Sequence, residues 1–258
     1  MRHALHAEWT KLRTAPGTAL LLAASILLTV GASALAAAIV KCPGSCTADT
    51  TKLSLTGVML GQATVATLAV LVMSSEYGTG MIRVTLAAMP RRPVLLAAKA
   101  AVLTGVVLVA GTIAVAASLL AGRLLEPGNG FTSGNGFVPL SLAHGPTLRA
   151  AAGSVLYLAL IALFSLGVAT AVREAAVAIG CVLGLLFLFP LVAAFIGGNP
   201  ALQRHLEQIS PMTAGLYIQA TTGLRSLPLT PWQGLGVLAL WATGSLLLGS
   251  LILRLRDA

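Results

Sequence analysis

Six runs of about twenty mostly apolar residues divide this chain, and a lipid bilayer is the environment that accommodates them. A helix rises about 1.5 Å per residue, so about twenty residues cross a hydrocarbon core of roughly 30 Å. The runs are Gly17 to Val40, Leu53 to Ser74, Ala98 to Ala121, Ala150 to Val172, Ala175 to Ile196, and Trp232 to Leu253. Only 9% of the 258 residues are charged, against roughly 25% in soluble domains. The sequence predicts an all-α integral membrane protein, with one transmembrane domain over residues 1–258 and six spans. The first run is too long for a signal-peptide core and no clean small-residue cleavage site follows it, so it reads as a retained span.

The formal charge of +9 does not point to nucleic acid, because no basic stripe carries interleaved aromatics. The basic residues instead flank the apolar runs. Arg2, Lys11, Arg13, Arg83, Arg91, Arg92, Lys99, Arg173, Arg254 and Arg256 fall on one side of a six-span layout. Lys41, Lys52, Arg123, Arg149, Arg204 and Arg225 fall on the other. The first set sits in shorter segments near span ends, where the positive-inside rule is strongest, so both termini are expected in the cytoplasm. Within residues 1–14, Leu5, Trp9 and Leu12 recur at i, i+4 and i+7. That stripe predicts an interfacial helix along the inner leaflet; the competing reading is a basic tail that only sets topology.

Three loops are expected outside. The first carries Cys42 and Cys46, candidates for a small loop disulfide in an oxidising compartment or else two free thiols. Cys181, inside an apolar run, reads as a small buried residue. The second loop repeats Gly-Asn-Gly-Phe, at Gly128 to Phe131 and Gly134 to Phe137, where Asn-Gly favours turns with positive φ. It reads as a small cap on the outer face or as a flexible turn-rich loop. The third, Gly197 to Pro231, is expected to hold short helices at Pro200 to Ile209 and Met212 to Thr221.

No catalytic set stands out, so an enzyme is not expected. The chain has no HExxH helix, no GxxxxGK[ST] phosphate loop and no Ser/His pair within a span. Neither a metal nor another cofactor is expected on this chain. The spans look almost free of ionisable groups, which ion-coupled carriers need. Gln62 is the most notable polar residue inside them, placed either to pack helices or to line a path. Gly57-x-x-x-Gly61 and Gly180-x-x-x-Gly184 permit close helix approach.

Between spans two and three, Gly78 and Gly80 break the helix. Met81 to Met89 can form about two and a half turns, and Pro90 stops them. Met81, Val84, Thr85 and Ala88 share one face; Arg83 lies on another, with Arg91 and Arg92 beyond. The pattern suits a short cytoplasmic helix that docks on a soluble partner, or a basic loop with no partner.

At these residues the chain resembles the permease subunits of the ABC-2 family of ATP-binding-cassette exporters, especially high-GC bacterial members. The similarity rests on Glu76, Gly78-Thr79, Arg83, Leu86, Pro90, Arg91-Arg92 and Lys99. It extends to the opening Glu8-Trp9-Thr10-Lys11-Leu12-Arg13 and to Ile209-Ser210-Pro211-Met212. The Cys42/Cys46 pair departs from the family pattern. The resemblance implies a permease in the bacterial plasma membrane, paired with a second copy or a related permease, contacting membrane lipid and no nucleic acid. Each copy would bind a separate P-loop ATPase, which would hold the ATP and Mg. Glu76, Gly78, Thr79, Gly80, Met81, Arg83, Val84, Leu86, Pro90, Arg91 and Arg92 would form the coupling element, braced by the N-terminal helix. Glu76 and Arg83 would either pair with each other or each touch the ATPase. An uncharged lining fits lipids, hydrophobic drugs or modified peptides. The alternative is a non-transporting sensor or immunity protein acting at the outer face.

Overall fold

Proline sets where several of the long helices begin. At the first turn its missing N–H costs nothing and its fixed φ is already helical. The computed structural model describes residues 2–42, 47–78, 92–138, 140–195 and 200–255, and the side chains of residues 2–4 and 92 lie outside that description. Helix α1 spans Arg2–Thr14. A single extended residue, Ala15, separates it from α2, Pro16–Ile39, which has proline at its start. Then come α3, Thr50–Ser54, α4, Val58–Gly78, α5, Arg92–Leu125, and α6, Gly145–Val172, again with proline in its first turn. Helix α7 is Ala175–Phe195. The short α8, Pro200–Ile209, and α9, Pro211–Leu216, precede α10, Pro231–Leu255.

Six of these, α2, α4, α5, α6, α7 and α10, are long and apolar enough to cross a membrane, and no strand occurs among the described residues. The protein is an all-α, multi-pass membrane protein. At 34 residues, α5 is about 50 Å long and outruns the hydrocarbon core.

Helix α6 is the hub, packed against α4, α5, α7 and α10. Its Tyr157, Ile161, Phe164 and Leu166 are among the largest fully buried side chains, with Leu68 and Met73 of α4. Helices α2, α7 and α10 turn most of their surface outward. Leu20, Leu27 and Leu35 on α2, and Leu240, Leu247 and Leu251 on α10, are exposed, which suits a solvent as apolar as they are.

Backbones meet closely where glycine allows. A Cβ on Gly167 of α6 would lie 2.5 Å from the Ser245 carbonyl carbon of α10, and one on Gly249 would lie 2.7 Å from the Gly167 oxygen. Gly57 and Gly61 do the same for α4 and α2, each with the Thr29 side of α2 only 1.9 Å from the added atom. The first GxxxG is therefore a packing seam. The second, Gly180 and Gly184, faces open space.

Span limits differ from expectation chiefly at the second. The run expected over 53–74 breaks at residues 55–57 and continues to Gly78. Asp49 caps α3 through a 3.1 Å bond from the Lys52 N–H, and Gly57 is pinned to α2 by a 3.1 Å bond from its N–H to Ser33 Oγ. The third span is longer than expected at both ends, and the fourth starts earlier, at Gly145. The second loop is built of two 3-10 turns, Pro127–Asn129 and Ser133–Asn135, each closed by a glycine at positive φ (Gly130, 93°; Gly136, 83°). Phe131 and Phe137 of the two repeats meet edge to face at 5.1 Å. Asn129 Nδ2 donates to the Ala37 carbonyl at 2.8 Å, so this loop is tied to α2. In the third loop the second helix ends at Leu216 and passes into a 3-10 turn, Tyr217–Gln219.

Candidate functional site

Four charged side chains from three elements meet where α1 lies across the end of α4 and the start of α5. Lys99 Nζ of α5 donates to Glu8 Oε2 of α1 at 2.7 Å and to Glu76 Oε1 of α4 at 2.8 Å. Lys11 Nζ donates to Glu8 Oε1 at 2.9 Å and to Glu76 Oε1 at 2.6 Å. Two acids and two bases cancel. Side-chain exposure is 1% for Lys99, 2% for Glu8 and 5% for Glu76, so only Lys11, at 34%, reaches the surface. An isolated charge this deep would cost several kcal/mol, and its neighbours repay that only in good geometry. The cluster therefore works less as a source of net stability than as a register lock. Helix α1 can dock only where Glu8 falls between the two ammonium groups.

Burial alone would lower the Lys11 pKa; its hydrogen bonds to Glu76 and Glu8, with their charges, outweigh that and hold it above the usual lysine value. Beside the cluster, a cavity of about 300 Å³ opens between the α1–α2 elbow and α4. Among the described residues, Glu76 Oε2 is buried with no hydrogen-bond partner.

This arrangement corrects two expectations. Glu76 does not stand beyond the second span as an exposed docking residue; it sits in the last turns of α4, buried, with both Lys11 and Lys99 on Oε1. The near absence of ionisable groups from the spans also fails, because Glu76 and Lys99 lie within α4 and α5. Gly78 ends α4, with open space around it. Thr79, Gly80, Met81, Arg83, Val84, Leu86, Pro90 and Arg91 lie outside the described residues, as does the side chain of Arg92, which opens α5. On α1, Leu5 and Leu12 are half-buried while Trp9 is 49% exposed. The packed face centres on Glu8, which the hydrophobic stripe did not single out.

Arg173 closes α6 in the left-handed conformation (φ 69°) and stacks on Tyr77 of α4 at 5.4 Å, on the same face of the bundle as the cluster. Deeper in, Gln62 of α4 is fully buried and accepts a hydrogen bond from Tyr157 of α6. Its Nε2 has no partner among the described residues. Gln62 thus contacts a neighbouring helix.

At the opposite face, Asp49 ties the first loop to the third. It accepts from the Thr221 N–H, from Thr221 Oγ1 at 2.7 Å and from the Thr222 N–H at 3.0 Å. Ser54 Oγ donates to Glu126 at 2.6 Å. Burial, and then the charge of Asp49, raise the Glu126 pKa, although the Ser54 hydrogen bond pulls the other way. A cavity of about 580 Å³ lies between these loops, lined by Thr51, Thr147, Thr221, His144 and Phe137 among others. Cys42 is disulfide-bonded, and Cys46 lies outside the described residues. Cys181 is a free, exposed thiol rather than a buried one, since α7 packs inward through Ala178, Val182 and Leu186. Among the described residues no three His, Cys, Asp or Glu side chains are placed to share a metal ion.

No model of a known protein family matches the chain, and no curated protein matches it.

Proposed function

We propose that this protein is the permease subunit of an ABC-2 type bacterial exporter, working with a separate ATP-binding-cassette ATPase and a second permease. One observation carries the reading: the Glu8–Lys11–Glu76–Lys99 cluster fastens the surface helix α1 to both helices that flank residues 79–91. A segment anchored on such a base cannot move alone. Force applied to it passes into α1, α4 and α5 together, which is what a coupling element must do. Four of the residues that carry the resemblance in the sequence, Glu8, Lys11, Glu76 and Lys99, meet in this cluster. The ATPase supplies ATP and Mg; the permease pair supplies the path; the termini and residues 79–91 face the cytoplasm.

The test is co-expression with an ATP-binding-cassette ATPase from the same genome, followed by purification in mild detergent. The ATPase is expected to co-purify, and Arg83→Glu to weaken that association. Clean recovery of the permease alone would count heavily against the reading. A second reading, a sensor or immunity protein acting at the outer face, draws on the hydroxyl-rich cavity of about 580 Å³ between the loops. It gains if cells carrying an ATPase-dead partner keep full protection against the exported or sequestered compound.

A further inference from the structure

At the face opposite the charge cluster, a cavity of about 330 Å³ lies between the end of α5 and the second loop. Arg123 and Glu126 both line it. Glu126 keeps helical backbone one residue past α5 (φ −62°, ψ −40°). The two therefore stand at i and i+3 on one face, where opposite charges ordinarily approach. Here they do not: among the described residues no ion pair joins them, and Arg123 makes no side-chain hydrogen bond. Glu126 is drawn instead toward α3. A Cβ on Gly122 would lie 2.0 Å from Ser54 Oγ, and its absence lets Ser54 donate to Glu126 Oε1 at 2.6 Å. Glu126 is only 3% exposed. Its Oε2 accepts no hydrogen bond among the described residues and, unlike Glu76 Oε2, is not sealed from solvent. A buried carboxylate without a cation is costly, and the charge of Asp49 nearby adds to the cost. The cavity thus offers a carboxylate oxygen short of a cation and an exposed guanidinium short of an anion. Its remaining walls include Phe131, Phe137, Val138 and Leu140.

These features select an occupant. An anion alone would satisfy Arg123 but meet the charges of Glu126 and Asp49. A metal ion would find one carboxylate on the wall and a guanidinium repelling it, and among the described residues no three His, Cys, Asp or Glu gather there. A simple amine would leave Arg123 unanswered. We infer that this cavity is a binding site for a small zwitterion, an α-amino acid with an apolar side chain. The ligand's ammonium donates to Glu126 Oε2, its carboxylate accepts from the Arg123 guanidinium, and its side chain lies against Phe137, Val138 and Leu140. Guanidinium and carboxylate match as planar forks. The volume is at the low end for small-molecule sites, which suits one amino acid better than a peptide. The inference stands on this cavity alone and holds whether or not the protein is a permease.

Tritiated L-leucine is the probe. Full-length protein in detergent is brought to equilibrium dialysis with it, and unlabelled L-leucine, L-leucinamide and isocaproate compete. The amide lacks the carboxylate and isocaproate lacks the ammonium. Saturable binding is expected, with leucine about tenfold or more ahead of either competitor, the scale of one charge-assisted hydrogen bond. Glu126→Gln keeps an acceptor for Ser54 and removes a buried charge; it should weaken leucine about tenfold without weakening isocaproate. Should that variant fail to fold, Arg123→Gln changes an exposed position, and should weaken leucine until leucinamide equals it. No saturable binding at millimolar leucine overturns the inference. So does competition by leucinamide or isocaproate as strong as that by leucine, and so does wild-type affinity for leucine in either folded variant.

Discussion

Lys99 and Lys11 share the same two carboxylates but not the same surroundings. Removing Lys99 leaves Glu8 and Glu76, both almost wholly buried, with one partly exposed cation between them. Lys99→Met should cost about 3–5 kcal/mol, the range for breaking a buried ion pair from one side. Lys11→Met should cost about 1 kcal/mol, because solvent can replace part of what a half-exposed pair supplies. Denaturation of the two variants in the same detergent, followed by circular dichroism, gives the comparison; equal losses would mean that the cluster is solvated. The pH dependence has a definite sign. The Lys11 pKa is raised in the folded state, so its contribution is complete below its unfolded value near 10.5 and lost as pH climbs through the folded value. Emission from Trp9 should therefore report a docked α1 throughout neutral pH and its loosening only above about pH 10.5. A loosening near neutral pH would place another group in control. In the sequence the apolar stripe of α1 runs through Leu5, Trp9 and Leu12 and gives Glu8 no packed role. What periodicity cannot show is that α1 folds back on the start of α5 and presents a charged seam to it. Lys99 carried the better signal: a lysine inside an apolar run needs a partner.

At the scale of helices, the apolar runs made all six spans legible, because length and hydropathy are local properties. What they could not place were breaks caused by contact between helices. The second run carries no proline or charge at residues 55–57; the chain turns there because Asp49 caps α3 and Gly57 is held against α2. The two GxxxG pairs are equally plausible in sequence, yet only Gly57 and Gly61 meet a neighbour, and a second close seam, Gly167 against α10, belongs to neither pair. A methyl group distinguishes these cases. Gly167→Ala drives a Cβ into backbone atoms of α10, so the helices must separate, at a cost of about 1–3 kcal/mol. Gly180→Ala meets open space and should be neutral or raise stability by up to about 1 kcal/mol through helix propensity. Thermal unfolding of both variants in detergent checks this pair. If Gly180→Ala proved the more damaging, that face of α7 would be packed against something, and a second copy of the chain would be the first candidate.

For the whole molecule, orientation in the membrane decides whether the functional reading can stand. The faces themselves are clear: α1, the end of α4 and the start of α5 lie at one, and Asp49, Glu126 and Thr221 at the other. In the six-span layout read from the sequence, 10 of the 16 lysines and arginines fall on the side of the first face and 6 on the other. Pairing of Lys11 and Lys99 with Glu8 and Glu76 does not weaken that count, because the rule acts on inserting segments and gives acidic residues little weight. The first face should therefore be cytoplasmic. In a Cys181→Ser background, cysteine placed at the exposed His6 of α1 should react with a membrane-impermeant maleimide only after cells are broken. Cysteine at the exposed Ser133, in the second 3-10 turn of the far loop, should react in intact cells. Cys42 is disulfide-bonded and adds no background of its own. The reverse labelling would put residues 79–91 outside the cell, where no ATPase can reach them. Force could then not enter through the charge cluster, and the transport reading would fall while the cluster and its cavity remained as they are.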